Sequence, residues 1–297
     1  MGPPYSLIDQ LSNVYSKLVW EVPVVAADLG GRVALVTGAG RGLGEAHARE
    51  LARAGATVVV NDFGVDINGD APDFAVAERV AAAIRADGGK AVAETSDIAS
   101  FAGATGAVEH TVAEFGRIDI LVNNAGIIGA GSALDSITQD ELERLLAVHT
   151  VGTVGAIAAA LPHMRRAGFG RIINTTSEAS LATDIAAGAA YAAAKSAVWG
   201  ITMSASKEAG AGITVNAVSP GALTRMSEGF LLESGIPDGL DLSPVQVSRV
   251  VVALCTEEAG RFTGRVPHTA GGFVREYVLR RRDDTDLAEY LREQLLL

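Results

Sequence analysis

Between a short apolar run, RVALVT, and a helical run over residues 42–54 lies TGAGRGLG, Thr37–Gly44. Gly38, Gly42 and Gly44 let the backbone turn tightly and approach a pyrophosphate at the helix N-terminus. Free N–H groups and the helix macrodipole favour an anion there, and Arg41 and Leu43 share the turn. A glycine-rich string alone is a weak signal. Set between a strand and a helix, and followed by an acid at the tip of the next strand, it is a strong one.

That acid is Asp62, which closes the run TVVVND. A carboxylate at this point can accept both ribose hydroxyls of NAD and repels the 2′-phosphate of NADP. Arg41 pulls the other way, since a guanidinium can pair with that phosphate. Repulsion at close range is hard to escape, so NAD is the expected cofactor.

Beyond the turn the chain keeps alternating. Strands are expected at KAVAET, IDILVNN, RIINTT, ITVNAVS and near Arg265–His268. Helices are expected at about 72–86, 99–115 and 138–165, over YAAAK, and from Ser243-Pro244, an N-cap followed by proline at N1. Strands alternating with helices indicate parallel βαβ units and an α/β, doubly wound parallel sheet with helices on both faces.

With 297 residues, 48% of them hydrophobic, the chain can build one large core. A net charge of −11, with no basic stretch able to track phosphates, argues against a nucleic-acid partner. Cys255, the single cysteine, lies in an apolar helical run and reads as a buried hydrophobe. His47, His110, His149, His163 and His268 show no ligand spacing, so no metal is expected. No apolar, charge-free run is read as a membrane span, and Asp9 and Glu21 interrupt the N-terminal apolar character, which leaves the cytoplasm as the expected compartment.

The pattern YAAAK places Tyr191 and Lys195 four apart, on one helix face. An ammonium beside a phenol favours phenolate, lowering a pKa of about 10 towards working pH. That makes a tyrosine a usable general acid or base. Alone, the spacing recurs by chance on solvated helices.

The ordered set T-G-x-x-x-G-x-G, NNAG (Asn123–Gly126), a serine before Y-x-x-x-K, and Pro220-Gly221 resembles the short-chain dehydrogenase/reductase family over about residues 31–272. VNDFGVDINGD, AVHTVG and NTTSEAS resemble, more finely, the branch with the dehydrogenase unit of multifunctional enzyme type 2 and bacterial hydroxysteroid and 3-hydroxyacyl-CoA dehydrogenases. The resemblance implies a single Rossmann-like sheet of about seven strands and NAD-dependent hydride transfer between a secondary alcohol and a ketone. It implies that Tyr191 exchanges a proton with the reacting oxygen, that Ser177 hydrogen-bonds it, and that Lys195 lowers the tyrosine pKa and holds the nicotinamide ribose. It further implies adenine contacts at Asp97 and Ile98, a cofactor-lining turn at Asn124, Ala125 and Gly126, and a nicotinamide-facing segment from Pro220 and Gly221 to Thr224. A homodimer or homotetramer is implied as well.

Two departures stand out. His149 occupies the position of a family asparagine that helps hold a water in a proton relay. A retained relay and an interior histidine satisfied by backbone carbonyls are both open. Ser177 is one residue further from Tyr191 than is usual, which points to a bulge within ASLATDIAAGA. Outside the core, residues 1–30 read as an extension with a helix over about 6–19, 223–242 as an apolar lid, and 273–297 as a docked helical tail. The lid suggests an apolar alcohol or ketone: a hydroxysteroid, 3-hydroxyacyl thioester or terpenoid-like alcohol. A lyase or epimerase using bound NAD, and a non-catalytic cofactor sensor, are the alternatives. The intact Ser/Tyr/Lys set favours the oxidoreductase.

Overall fold

The computed structural model describes residues 27–68, 70, 72–180, 187–229 and 240–278. The expected helix over 6–19, the bulge over 181–186, half of the lid (230–239) and the tail beyond 278 lie outside the described residues.

All five residues of β1 (Val33–Thr37) are buried, as a strand covered on both faces requires. It pairs in parallel with β2 (Thr57–Asn61) on one side and β4 (Ile120–Asn123) on the other. β3 (Lys90–Glu94), β5 (Gly170–Thr175), β6 (Ile213–Gly221) and β7 (Pro267–Ala270) extend the parallel sheet to the order β3-β2-β1-β4-β5-β6-β7. Successive side chains face opposite ways. Ala34 and Val36 pack with Leu51 of α1 (Gly42–Arg53), Ile84 of α2 (Ala75–Ala86) and Val251 of α6 (Pro244–Leu254). Leu35, between them, packs on the other face with Val108 of α3 (Phe101–Phe115), Met164 of α4 (Gln139–Ala167) and Ala205 of α5 (Ala189–Glu208). The sheet is doubly wound.

Three expectations change. Residues 273–276, assigned from sequence to a helical tail, form β8 (Phe273–Glu276), antiparallel to β7, so the sheet has eight strands. Gly271 and Gly272, at φ 53° and 87°, supply the tight turn, and the open edge of β7 supplies the pairing. Ser243 does occupy the N-cap of α6 ahead of Pro244, but its hydroxyl makes no capping bond. Residues 145–164 contain no Asp, Glu, Lys or Arg, and α4 is long and apolar enough to cross a membrane by length and composition alone. Half of its most apolar window is buried, with Ala156, Ile157 and Ala160 packed into the core beside α3.

The chain leaves β1 for β2 and β3, then returns to β4 on β1's other side. A crevice opens where the order reverses, at the carboxyl ends of β1 and β4.

Candidate active site

A cleft of about 750 Å³ occupies that crevice. Every candidate residue named from the sequence lines it except His149.

The glycine turn forms one wall. Gly38 and Gly42 take φ 62° and 56°, a region that side chains rarely adopt. A Cβ on Gly44 would stand 2.1 Å from the Gly38 carbonyl oxygen, so α1 can start there only with bare backbone. No side chain caps α1, which leaves its first-turn N–H groups directed at the cleft. The structure adds two residues that the sequence argument passed over. A Cβ on Gly40 would lie 1.9 Å from Val76 Cγ1, and Thr37 Oγ1 accepts from the Asn124 and Ala125 amides at 3.1 Å each. Asn124 Nδ2 returns bonds to the carbonyls of Thr37 and Gly38 at 3.0 and 3.1 Å, so its side chain holds the turn rather than facing a ligand.

Asp62 stands at the tip of β2. Its Oδ2 accepts from Gly40 N and its Oδ1 from Gly64 N, both at 2.7 Å. Each oxygen keeps a further lone pair for a ribose hydroxyl. Arg41 Nη1 donates to Val65 O at 3.0 Å, leaving most of its guanidinium donors unspent. Asp97 and Ile98 follow β3 along the same wall, and Thr224 Cγ2 lies 3.7 Å from where a Gly42 Cβ would sit, closing the cleft over the turn. An uncapped helix start, positive-φ glycines and an acid at the second strand's tip fit a dinucleotide's pyrophosphate and ribose.

The opposite wall carries Ser177, Tyr191 and Lys195. Ser177 follows β5, and Tyr191 and Lys195 project from the first turns of α5. Ser177 and Tyr191 line the same wall, and the serine hydroxyl favours the charged form of the phenol. Lys195 is buried, with Nζ donating to Thr175 O at 2.8 Å, and Thr176 Oγ1 donates to Lys195 O at 3.0 Å. Its Nζ lies 5.7 Å from the Tyr191 ring centroid. Burial pulls the lysine down to about 7. Burial also raises Tyr191 above the usual phenol value, with the Ser177 hydroxyl opposing. This corrects the expectation that the ammonium lowers the phenol: spacing places the two on one face, but the dry surroundings penalise both charged forms.

His149 sits behind this wall, in a π-helical turn, Ala147–Val151, inside α4. Only 1% of it is exposed. Its Nε2 donates to Ile127 O at 2.8 Å, while Nδ1 has no partner among the described residues. The ring meets Tyr191 edge-on at 5.6 Å, and a Cβ on Gly126 would intrude to 2.5 Å from its Cε1. Burial, then the charge of Lys195, hold its pKa well below the ordinary value, with the Ile127 bond opposing. The histidine is therefore neutral, interior and in contact with the tyrosine.

Two further cleft residues, Glu178 and His268, are far apart in sequence and meet only in the fold. Cys255 is buried away from the cleft, and burial pushes its thiol up to about 12.

Comparison with known proteins places these features in context. Residues 32–230 match the family model described as short chain dehydrogenase. The chain is 35% identical over 274 residues to peroxisomal multifunctional enzyme type 2 of Drosophila melanogaster, covering 89% of this chain and 44% of that protein. It therefore spans less than half of that relative's length. It is 38% identical over 238 residues to trans-4-hydroxycyclohexanecarboxylate dehydrogenase of Sinomonas cyclohexanicum, covering 78% of this chain and 89% of that one. A crystal structure of a short chain dehydrogenase from Mycobacterium avium superposes with a TM-score of 0.75 at 36% identity, covering 90% of this chain and 95% of that one.

Proposed function

We propose that this chain, which belongs to the short-chain dehydrogenase family, is an NAD-dependent oxidoreductase interconverting an apolar secondary alcohol and its ketone. The observation that carries this reading is the convergence of Ser177, Tyr191 and the buried Lys195 on one cleft, across from the glycine turn. NAD, when bound, supplies the hydride acceptor.

The chain's own groups do the rest. The first-turn N–H groups of α1 hold the pyrophosphate, and Asp62 accepts from the adenosine ribose. Ser177 donates a hydrogen bond to the substrate oxygen and Tyr191 takes or returns its proton, since alkoxide character on that oxygen needs both a donor and a proton site. Raising the phenol by burial favours its neutral form, so Tyr191 is readied as the proton donor for ketone reduction; oxidation gains as pH rises. Lys195 Nζ stands by to hold ribose hydroxyls and to resupply the proton. His149 Nδ1, an acceptor packed on the tyrosine, belongs to this relay in our account.

The relatives' names bear on the substrate. One family member acts on a hydroxy acid, and the multifunctional enzyme is a peroxisomal protein. For this chain we favour an uncharged hydroxyacyl thioester or a hydroxysteroid, turned over in the cytoplasm. We also propose a homodimer or homotetramer, with Val151 and Val154 exposed on α4 as candidate contacts.

The test is reduction of NAD, followed by absorbance, with a panel of 3-hydroxyacyl thioesters, hydroxysteroids and 4-hydroxycyclohexanecarboxylate. Turnover of thioester or steroid with NAD is expected. Binding of NADH with no turnover on any member would refute the dehydrogenase reading in favour of a sensor.

A further inference from the structure

Glu178 follows Ser177 directly and opens a single 3₁₀ turn, Glu178–Ser180, on the cleft wall. About 20% of its side chain is exposed. Side chains from the far edge of the sheet converge on it. Tyr277, just past β8, donates its hydroxyl to Oε1. Arg275 Nη1, on β8, lies 3.5 Å from Oε1, and His268 Nδ1, on β7, lies 3.4 Å from Oε2. Glu178 and His268 line the cleft, whereas Arg275 and Tyr277 do not. Glu178 thus lies between the cleft and its guanidinium partner, which is not among the residues lining the cleft. Burial draws His268 down to about 3, so the imidazole adds no positive charge to that wall at neutral pH. Of the four cations that line the cleft among the described residues, Lys195 is bound to Thr175 O, Arg41 to Val65 O beside the glycine turn, Arg144 to Asn68 O and Asp70, and Arg225 is exposed to solvent.

We infer that Glu178 is a specificity-determining residue: it excludes substrates with a carboxylate next to the reacting carbinol and admits their uncharged ester or thioester counterparts. The inference rests on the alcohol–ketone chemistry proposed above. The Ser177 hydroxyl, on the same wall as Tyr191, marks the reacting oxygen, and the Glu178 Cα is only about 3.8 Å from that of Ser177. A substituent on the neighbouring carbon then comes within roughly 10 Å of the carboxylate. Two like charges roughly 10 Å apart, at an effective dielectric of about 20, discriminate by roughly tenfold. β8 and Tyr277 hold the charge in place, so the edge strand unforeseen from sequence has a role in selection.

The experiment compares 3-hydroxyoctanoate with its methyl ester in wild type, Glu178→Gln and Tyr277→Phe. It reads kcat/KM with NAD, and calorimetric affinity in the presence of NADH, where nothing turns over. Glutamine keeps an acceptor for Tyr277 and removes the charge. Glu178→Gln should raise kcat/KM and affinity for the acid about tenfold or more while moving the ester less than about twofold. Tyr277→Phe, which loosens the carboxylate without discharging it, should narrow the acid–ester gap, but by less than Glu178→Gln does. Glu178→Gln leaving the acid unchanged, or shifting acid and ester by one factor, would overturn the inference and make Glu178 a mere brace for the serine turn. Should wild type oxidise neither probe, the affinity ratio in the presence of NADH still decides charge selection, and the dehydrogenase reading is decided separately by the substrate panel above.

Discussion

Replacing Lys195 with methionine should abolish turnover and stabilise the fold. The ammonium is buried against Thr175 O, and burial moves its pKa from 10.5 to about 7. At about 1.36 kcal/mol per pKa unit, this drop of roughly three and a half units amounts to some 5 kcal/mol when fully expressed. The folded-state value is the depressed one. The associated stability is therefore fully present above 10.5 and lost as pH falls towards 7. Near pH 7 most of that penalty weighs on the wild type. Methionine fills similar volume without charge, but leaves the Thr175 carbonyl without its donor, which takes back about 1–3 kcal/mol. The variant should gain about 1–3 kcal/mol in urea unfolding at pH 7, and the gain should shrink as pH approaches 10. Alcohol oxidation should fall by about a thousandfold or more. A variant less stable than wild type at pH 7, or a gap that does not narrow with pH, would refute the claim that the ammonium is held at a cost for function.

The cofactor preference tests Asp62. Wild type should favour NAD over NADP about ten- to a thousandfold in kcat/KM, and Asp62→Ser should narrow the gap chiefly by improving NADP use, with Arg41 free to pair with the phosphate. A wild-type preference for NADP would mean that Arg41 reads the ribose. Gly44→Ala drives a methyl to 2.1 Å from Gly38 O and should cost about 1–3 kcal/mol of stability, read from the urea midpoint, with weaker NADH binding by fluorescence titration. For His149, asparagine should preserve much of the rate, whereas leucine should lower kcat at least about tenfold with cofactor affinity unchanged. Equal, small effects would assign the histidine to the core alone.

Much of the fold was legible because its signals are local. The run VALVT, the glycine turn and Asp62 lie within one βαβ unit, and hydrophobic runs mark each parallel strand. β8 was not legible: FVRE is too short to show a period, and it exists because β7 offers an edge. Nor was the π-turn at His149, since AVHTV reads as ordinary apolar helix and the change of hydrogen-bond register leaves no compositional trace. In the site, Tyr191 and Lys195 declare themselves by spacing, but the direction of their pKa shifts depends on burial, which spacing does not encode. Glu178 and Tyr277 are 99 residues apart in the chain, and although Glu178 falls within NTTSEAS, nothing local pairs it with Tyr277.

The central claim is that hydride leaves the carbinol carbon of an alcohol held by Ser177 and Tyr191. The direct measurement uses an alcohol from the panel that carries deuterium on that carbon, with mass spectrometry of the nicotinamide product. Wild type should yield reduced cofactor carrying one deuterium, on a single face of the ring, and Tyr191→Phe should bind NADH normally yet transfer label at least about a thousandfold more slowly. Reduced cofactor without deuterium, or a Tyr191→Phe variant retaining half the wild-type transfer rate, would contradict the account.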